Sequence, residues 1–402
     1  MLKFLSSNIQ KTATFPISLW SIWGIGIAQI LIWGGSFFLL AVFARPIMDE
    51  MGWGREIVYG GLSIGLLVSA VVLPCLGQLF NYFEGKNILS FSGLLISLGL
   101  IVLAYSSNIW SFYIAWIVIG MGMALGLYDA LFAVLGHYFG LNAKKLIIAL
   151  TLISGFCTTI VWPVQVYAIT LLGWRETLLF WAILLFIFIG PIYYYCLPKQ
   201  EHISLKNIKK VKEGIITLEH NIYYLMSSIF MISSIIMTIM SIQLIDILQE
   251  TGVTLVAAIA MSTLLGPSQI ASRILDLVTK FDHPIKSLLV SVSLVIIGII
   301  LLMLGPQYAV FGIIVYGAGN GLRSIIRGTL PLVLVNKHEY PLLMGKLAGP
   351  SMFAQAITPL IAGYIMEKYH ANCLLLLTAM LAVFNVLLST ILMKKIKNYK
   401  VI

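Results

Sequence analysis

The chain has 402 residues, of which 60% are hydrophobic and 10% charged, against roughly 45 to 50% and about 25% in soluble domains, so most of it cannot face water. Its net charge of +10 is scattered between apolar runs rather than gathered on one face, which excludes a nucleic-acid partner. Cys75, Cys157, Cys196 and Cys373 lie in or beside apolar runs without C-x-x-C spacing, which excludes a disulfide framework and a zinc site, and no cofactor is expected.

The residues before Ile17 carry Lys3 and Lys11, and the apolar run that follows is too long for the core of a signal peptide. It reads as the first membrane span. Runs able to cross about 30 Å as helix occupy 17–44, 57–80, 87–106, 109–139, 146–171 and 175–197. Next comes the only long polar stretch, Leu197 to His220, where Lys199, Lys206, Lys209, Lys210 and Lys212 stand against three acids. Six more runs follow near 221–247, 254–279, 285–304, 307–335, 342–367 and 371–393, separated by short polar or Gly/Pro breaks.

The expected fold is therefore all-α: a polytopic membrane protein of 12 transmembrane helices in two six-helix bundles, 1–197 and 221–402, joined by a linker at 198–220. Cytoplasmic loops collect Lys and Arg. With the N-terminus inside, eighteen bases fall on the cytoplasmic side and only Arg45, Arg55, Arg175 and Lys368 on the other. Both termini are expected in the cytoplasm. The halves also repeat: Gly120 and Gly122 in VIGMGMALG precede Gly317 and Gly319 in VYGAGNGLR by 197 residues, Pro163 precedes Pro359 by 196, and Pro74 precedes Pro267 by 193. Two parallel repeats are one way in which transporters are built.

With this plan, the basic central loop, and GQLFNYFEGK after the second span, the chain resembles the major facilitator superfamily of transporters, whose members carry a Gly-x-x-x-Asp-Arg-x-Gly-Arg-Lys motif at that place. Asn81 stands where the motif has its Asp, and Glu84 is the candidate substitute in the charge relay that the family uses at its cytoplasmic gate. Within the superfamily, the order of Tyr138, Phe139, Lys144, Lys145, Pro163, Gly173, Trp174 and Arg175 is similar to the monocarboxylate-transporter and oxalate/formate-antiporter branch. Trp116 occupies a position where many proton-coupled sugar and drug members have Arg. Span 5 also lacks the Gly-Pro signature of drug antiporters, so the resemblance argues against a multidrug exporter.

Charges inside a membrane span are costly enough to be functional candidates by default. They are Asp129 and His137 in span 4, Asp246 near the end of span 7, Arg273 and Asp276 in span 8, and Arg323 and Arg327 in span 10. Tyr316, Asn320, Arg323 and Arg327 fall on one stripe of a helix beside a stripe of small residues, and paired Arg forks suit an anion. Pairing with a helix carboxylate is the alternative, or with headgroups for Arg327. Arg273 and Asp276, three apart, can pair across one turn; the resembled branch has Asp first and a four-residue step here, so its proton and substrate roles do not carry over directly. Asp129 is either a proton carrier or a carboxylate held by an arginine of span 8 or 10 to fix a closed gate. His137 reads as an interface residue. Gln29 with Trp33 in span 1, Gln165 with Trp162 around Pro163, and Gln355 before Pro359 are uncharged candidates for cavity contacts.

The leading expectation is a non-enzymatic secondary transporter in the cytoplasmic (inner) membrane. It would work as a monomer in the lipid bilayer and move a small, anionic organic solute by alternating access. Symport with a proton is the candidate coupling, since no P-loop is present. Uptake of a larger ligand such as a siderophore, export of an amphipathic compound, and a non-transporting receptor remain open as alternatives. A membrane enzyme would need His and carboxylates clustered at one interface, and the sequence has no such cluster.

Overall fold

The computed structural model describes residues 16–80, 82–198, 218–279 and 283–398. All regular structure in them is helical, as a chain in lipid requires, because only a helix or a closed barrel satisfies every backbone group from within. Span 2 runs from Arg55–Val72 through a tight turn at Pro74 to Leu79, span 3 is Gly85–Ala104 and span 6 is Trp174–Cys196. Span 7 is His220–Glu250, span 9 Pro284–Met303 and span 10 Ala309–Leu332. Spans 11 and 12 share the helical run Tyr340–Asn398, which turns at His370, where φ is 63°.

Four spans are interrupted where the hydropathy pattern predicts unbroken helices. Span 1 is Leu19–Gly34 and Leu40–Met51, and its second piece runs on past Ala44 to carry Arg45, Asp49 and Glu50. Span 4 is Ile109–Gly126 and Tyr128–Phe139, span 5 Ala143–Ser154 and Cys157–Leu172, and span 8 Leu255–Ser262 and Leu265–Thr279. Hydropathy measures solvent preference and is indifferent to a break of one to five residues in the ladder, so these interruptions left no mark on it.

Between spans 4 and 5 the chain reverses over Gly140–Asn142, and Tyr128 meets Ser154 across the hairpin, Oη to Oγ at 2.6 Å. Cys196, His220, Phe139 and Leu332 lie at one end of the molecule, called here the linker end. Met51, Ala104, Leu172, Glu250 and Met303 mark the far end.

The repeat seen in the sequence is a repeat of contacts. Gly122 packs on the Ser92 carbonyl and Ile96, and Gly319 packs on the Ser291 carbonyl and Val295; both glycines leave no room for a Cβ. The offsets are 197 for the glycines and 199 for their partners. At the far end, Glu50 accepts from the indole of Trp174 at 2.5 Å and from Arg175 at 2.9 Å, joining spans 1 and 6. Glu250 accepts from the backbone of Ala371 at 2.7 Å, joining spans 7 and 12.

Candidate functional site

The site grows from the break in span 4. After Gly126, Leu127 adopts an extended ψ of −179°, so a new helix starts at Tyr128 and Asp129 falls in its first turn. There the helix offers unbonded N–H groups and the positive end of its dipole, both favourable for a carboxylate. By helical rise Asp129 lies about 15 Å from the linker end.

Asp129 does not stand alone. Arg327 of span 10 reaches across from the other half and donates Nε to Oδ1 at 2.7 Å and Nη2 to Oδ2 at 2.9 Å. The two side chains form a planar, bidentate pair, the geometry in which guanidinium and carboxylate interact most strongly. Both residues are buried, and Ser234 of span 7 accepts from Nη1 at 3.4 Å. Gly328, the next residue of span 10, packs on the ring of Phe132, one turn along from Asp129.

Arg273 makes a second tie between the halves. Its Nη1 donates to the Thr151 carbonyl of span 5 at 2.5 Å, its Nε to the Gly321 carbonyl at 3.3 Å and its Nη2 to Gln269 at 3.4 Å. The expected local pair with Asp276 is not formed; Asp276 accepts from Ser287 of span 9 at 2.8 Å. Arg273 turns instead toward the facing carbonyls of Thr151 and Gly321, with Gln269 one turn back as its third acceptor.

Toward the linker end the halves touch through backbone. Gly345 of span 11 meets the Leu73 carbonyl of span 2, and Gly136 of span 4 meets the ring of Tyr340, whose hydroxyl donates to the Gly328 carbonyl at 2.7 Å. Any side chain at these two glycines would push the halves apart. Met344, Ala348, Met352 and Ala356 of span 11 are buried in the same apolar cluster as the N-terminal half. The linker end is thus closed.

The other candidate residues scatter. Arg323, Asn320 and Tyr316 do not join Arg327 at the meeting of the halves; they wall a cavity inside the C-terminal half. Gln29 donates to the Tyr193 hydroxyl and to the Gly126 carbonyl, both at 2.8 Å, and its oxygen accepts from Trp33 at 3.1 Å, so it is an internal strut. Gln165 donates to the Gly34 carbonyl at 3.1 Å while its oxygen stays unpartnered. Gln355 is buried, and its side-chain amide donates to the sulfur of Met237 in its own half at 3.9 Å. Glu84 lies 3.2 Å from Lys86 at the start of span 3, and Asn81 falls outside the described residues.

Sequence reasoning named Trp33 and Trp162 singly but missed the aromatic patch beside Asp129 to which both belong. Trp33 packs on Tyr128 at 4.8 Å and on Phe37 at 5.4 Å, Tyr128 stacks on Phe132, and Phe38 meets Trp162 at 6.2 Å. Trp33, Phe37, Phe38, Tyr128 and Trp162 are all only partly buried. Trp33 and Phe37 are four apart, which is a helical signal, but their partners come from spans 4 and 5.

Residues 25–331 match the family model of the Major Facilitator Superfamily. No curated protein matches the chain. Solved structures do. The FucP transporter in its outward conformation is similar with a TM-score of 0.72 at 12% identity, over 92% of this chain and 98% of that one. The proton:xylose symporter XylE bound to 6-bromo-6-deoxy-D-glucose is similar with a TM-score of 0.71 at 12% identity, over 92% and 94%. The human organic anion transporter MFSD10 (TETRAN) is similar with a TM-score of 0.69 at 11% identity, over 92% and 98%.

Proposed function

The chain belongs to the major facilitator superfamily, and from that premise we propose that this secondary transporter moves a small organic anion, with Asp129 as the group that couples transport to protons. One observation carries the reading. At the meeting of the halves two buried arginines, Arg273 and Arg327, stand with one buried carboxylate among the described residues, the ion-paired Asp129, so the buried machinery has an excess of positive charge. A solute carboxylate restores the balance and a cation worsens it.

The bidentate pair supplies the exchange step. Protonation of Asp129 removes the charge that holds Arg327, and the freed fork takes the solute carboxylate in the same planar geometry. The tie between the halves is then a tie between one half and the solute, which permits the linker end to open. The aromatic patch of Trp33, Phe38, Tyr128 and Trp162 receives the apolar body of the solute, and the free oxygen of Gln165 takes a donor. The order of Tyr138, Lys144, Lys145, Gly173, Trp174 and Arg175 supports placement in the monocarboxylate-type branch. The bases support a cytoplasmic linker end, with both termini inside.

The test is a stability and uptake screen. Small mono- and dicarboxylates should raise the melting temperature of the purified protein by mass action, and neutral sugars and amines should not. In proteoliposomes an acid-outside pH gradient should drive accumulation of the carboxylate that binds. Asp129→Asn should lose that accumulation while retaining solute exchange. Stabilisation by sugars or amines alone would sink the anion assignment, and wild-type pH dependence in Asp129→Asn would remove Asp129 from coupling.

A further inference from the structure

A cavity lies inside the C-terminal half, walled by spans 7, 9, 10 and 12 and by no residue of the other half. Its polar wall is Ser233, Ser291, Tyr316, Asn320, Arg323 and Asn385. Arg323 donates Nε to Asn320 Oδ1 at 2.8 Å, and its terminal nitrogens have no partner among the described residues. Tyr316 and Asn385 are 2% and 3% exposed, yet the Tyr316 hydroxyl and the Asn385 side-chain oxygen have no hydrogen-bond partner. Buried polar groups are nearly always satisfied, so two unsatisfied buried groups beside the half-buried guanidinium around one space point to a missing occupant.

The corresponding place in the N-terminal half is filled. Gly126 stands 197 residues before Arg323, the same offset as for the packed glycines of spans 4 and 10. There Gln29 bridges the Gly126 carbonyl, the Tyr193 hydroxyl and Trp33 without remainder. The C-terminal half has a guanidinium in place of that glycine, and no carboxylate in the wall to balance it.

We infer that this cavity binds one monovalent inorganic anion of the halide class, apart from the path of the organic solute. The wall chemistry selects the charge. Arg323 offers its terminal N–H groups and Tyr316 its O–H. Asn385 donates to the Ser233 hydroxyl at 2.8 Å; a half-turn of its amide gives the oxygen to that hydroxyl and turns the amino group inward. Every group that lacks a partner then faces the centre as a donor. The space selects the size, since it is about that of one water molecule, enough for a monatomic ion and too little for an organic acid. A water could accept from only two of these donors and would leave the guanidinium uncompensated. Bound there, the ion ties four helices of one half together and masks Arg323 from Arg327, one turn away.

The probe is the halide alone, with no organic solute present, so the outcome is independent of the transport reading. Purified full-length protein is moved from sulfate to chloride or bromide at constant ionic strength, and its melting temperature is followed against halide concentration. A saturable rise is expected, with the half-point moved at least tenfold higher or the rise abolished in Arg323→Gln. Should that variant fail to fold, Tyr316→Phe removes one donor at little change in volume and is expected to raise the half-point several-fold. A melting temperature that shows no saturable rise on passing from sulfate to halide would overturn the proposal, as would a saturable response of wild-type half-point in the variant.

Discussion

The two halves share a fold and differ in their interiors. Buried apolar residues of the N-terminal half form one cluster from Ile22 to Leu197. Those of the C-terminal half, apart from Leu332, Tyr340 and the face of span 11 that joins this first cluster, form two, one including Ile232, Ile313, Tyr316 and Ala382 and the other Phe230, Leu322, Ile326 and Leu392. Along spans 7, 10 and 12 the division coincides with Ser233 and Ser234, with Asn320 and Arg323, and with Asn385 and Ser389. A repeated backbone has thus kept its helix crossings while one copy has exchanged a continuous core for a polar layer. The N-terminal half is the scaffold that presents one carboxylate, and the C-terminal half holds the charge that meets it.

The largest way to break this division of labour is at the pair that joins it. Removing one partner of a buried ion pair leaves the other uncompensated, typically at about 3 to 5 kcal/mol, so Arg327→Met and Asp129→Leu should each unfold at much lower denaturant or temperature. The double variant should recover a large part of the loss, because no stranded charge remains; strict additivity of the two single losses would mean that the pair does not matter to the folded state.

A second comparison sets the two interiors side by side. Gln29→Leu discards three satisfied hydrogen bonds and strands the Tyr193 hydroxyl, an expected loss of roughly 1 to 3 kcal/mol. Asn385→Leu discards a single bond to Ser233 and an oxygen that already lacks a partner, so in halide-free buffer its loss should be well under that of Gln29→Leu. Parallel denaturation curves decide the ranking, and the reverse order would contradict the picture of a filled and an unfilled interior.

The smallest effect belongs to the far-end clamps. Hydrogen bonds from Arg175 and Trp174 hold the Glu50 carboxyl, beyond the apolar run of span 1, below its ordinary pKa. A depressed folded-state pKa contributes stability above the unfolded value and loses it as pH falls through the folded one. Glu50→Gln should therefore flatten the acid limb of the stability profile, by less than about 1 kcal/mol for so exposed a pair. A pH profile between about 3 and 6 that superposes on wild type would show that the clamp contributes nothing.

Much of this architecture was legible in the residues. Spans could be counted because lipid demands long apolar runs, and the halves aligned because Gly120 and Gly122 reappear as Gly317 and Gly319. The stripe of Tyr316, Asn320, Arg323 and Arg327 was real as a stripe, but its members part company. Arg327 points across to span 4 and Arg323 into its own bundle, since neighbours on a helix four residues apart differ by about 40° in direction and meet different helices. Which helix stands on which side is tertiary information. Arg273 was read as the partner of its chain neighbour Asp276 for the same reason, while the carbonyl it found, Thr151, is 122 positions away. The interruption at Leu127 had only Gly126 to announce it, one glycine among 34.

That interruption bears on how fast the latch can let go. A strong ion pair in a dry setting normally makes a slow gate, because the parting charges pass through a state in which neither is solvated. Asp129 sits in the first turn of a helix that begins beside it, so where Arg327 withdraws before the carboxyl has taken up its proton, the carboxylate is left beside free N–H groups of its own helix rather than hydrocarbon. The departing charge is met by a standing one of the same sign, already in position. On the gating proposed above, Leu127 would act as a kinetic element: by ending one helix early it would lower the barrier to release, and a residue that kept span 4 continuous would make the same lock hold longer.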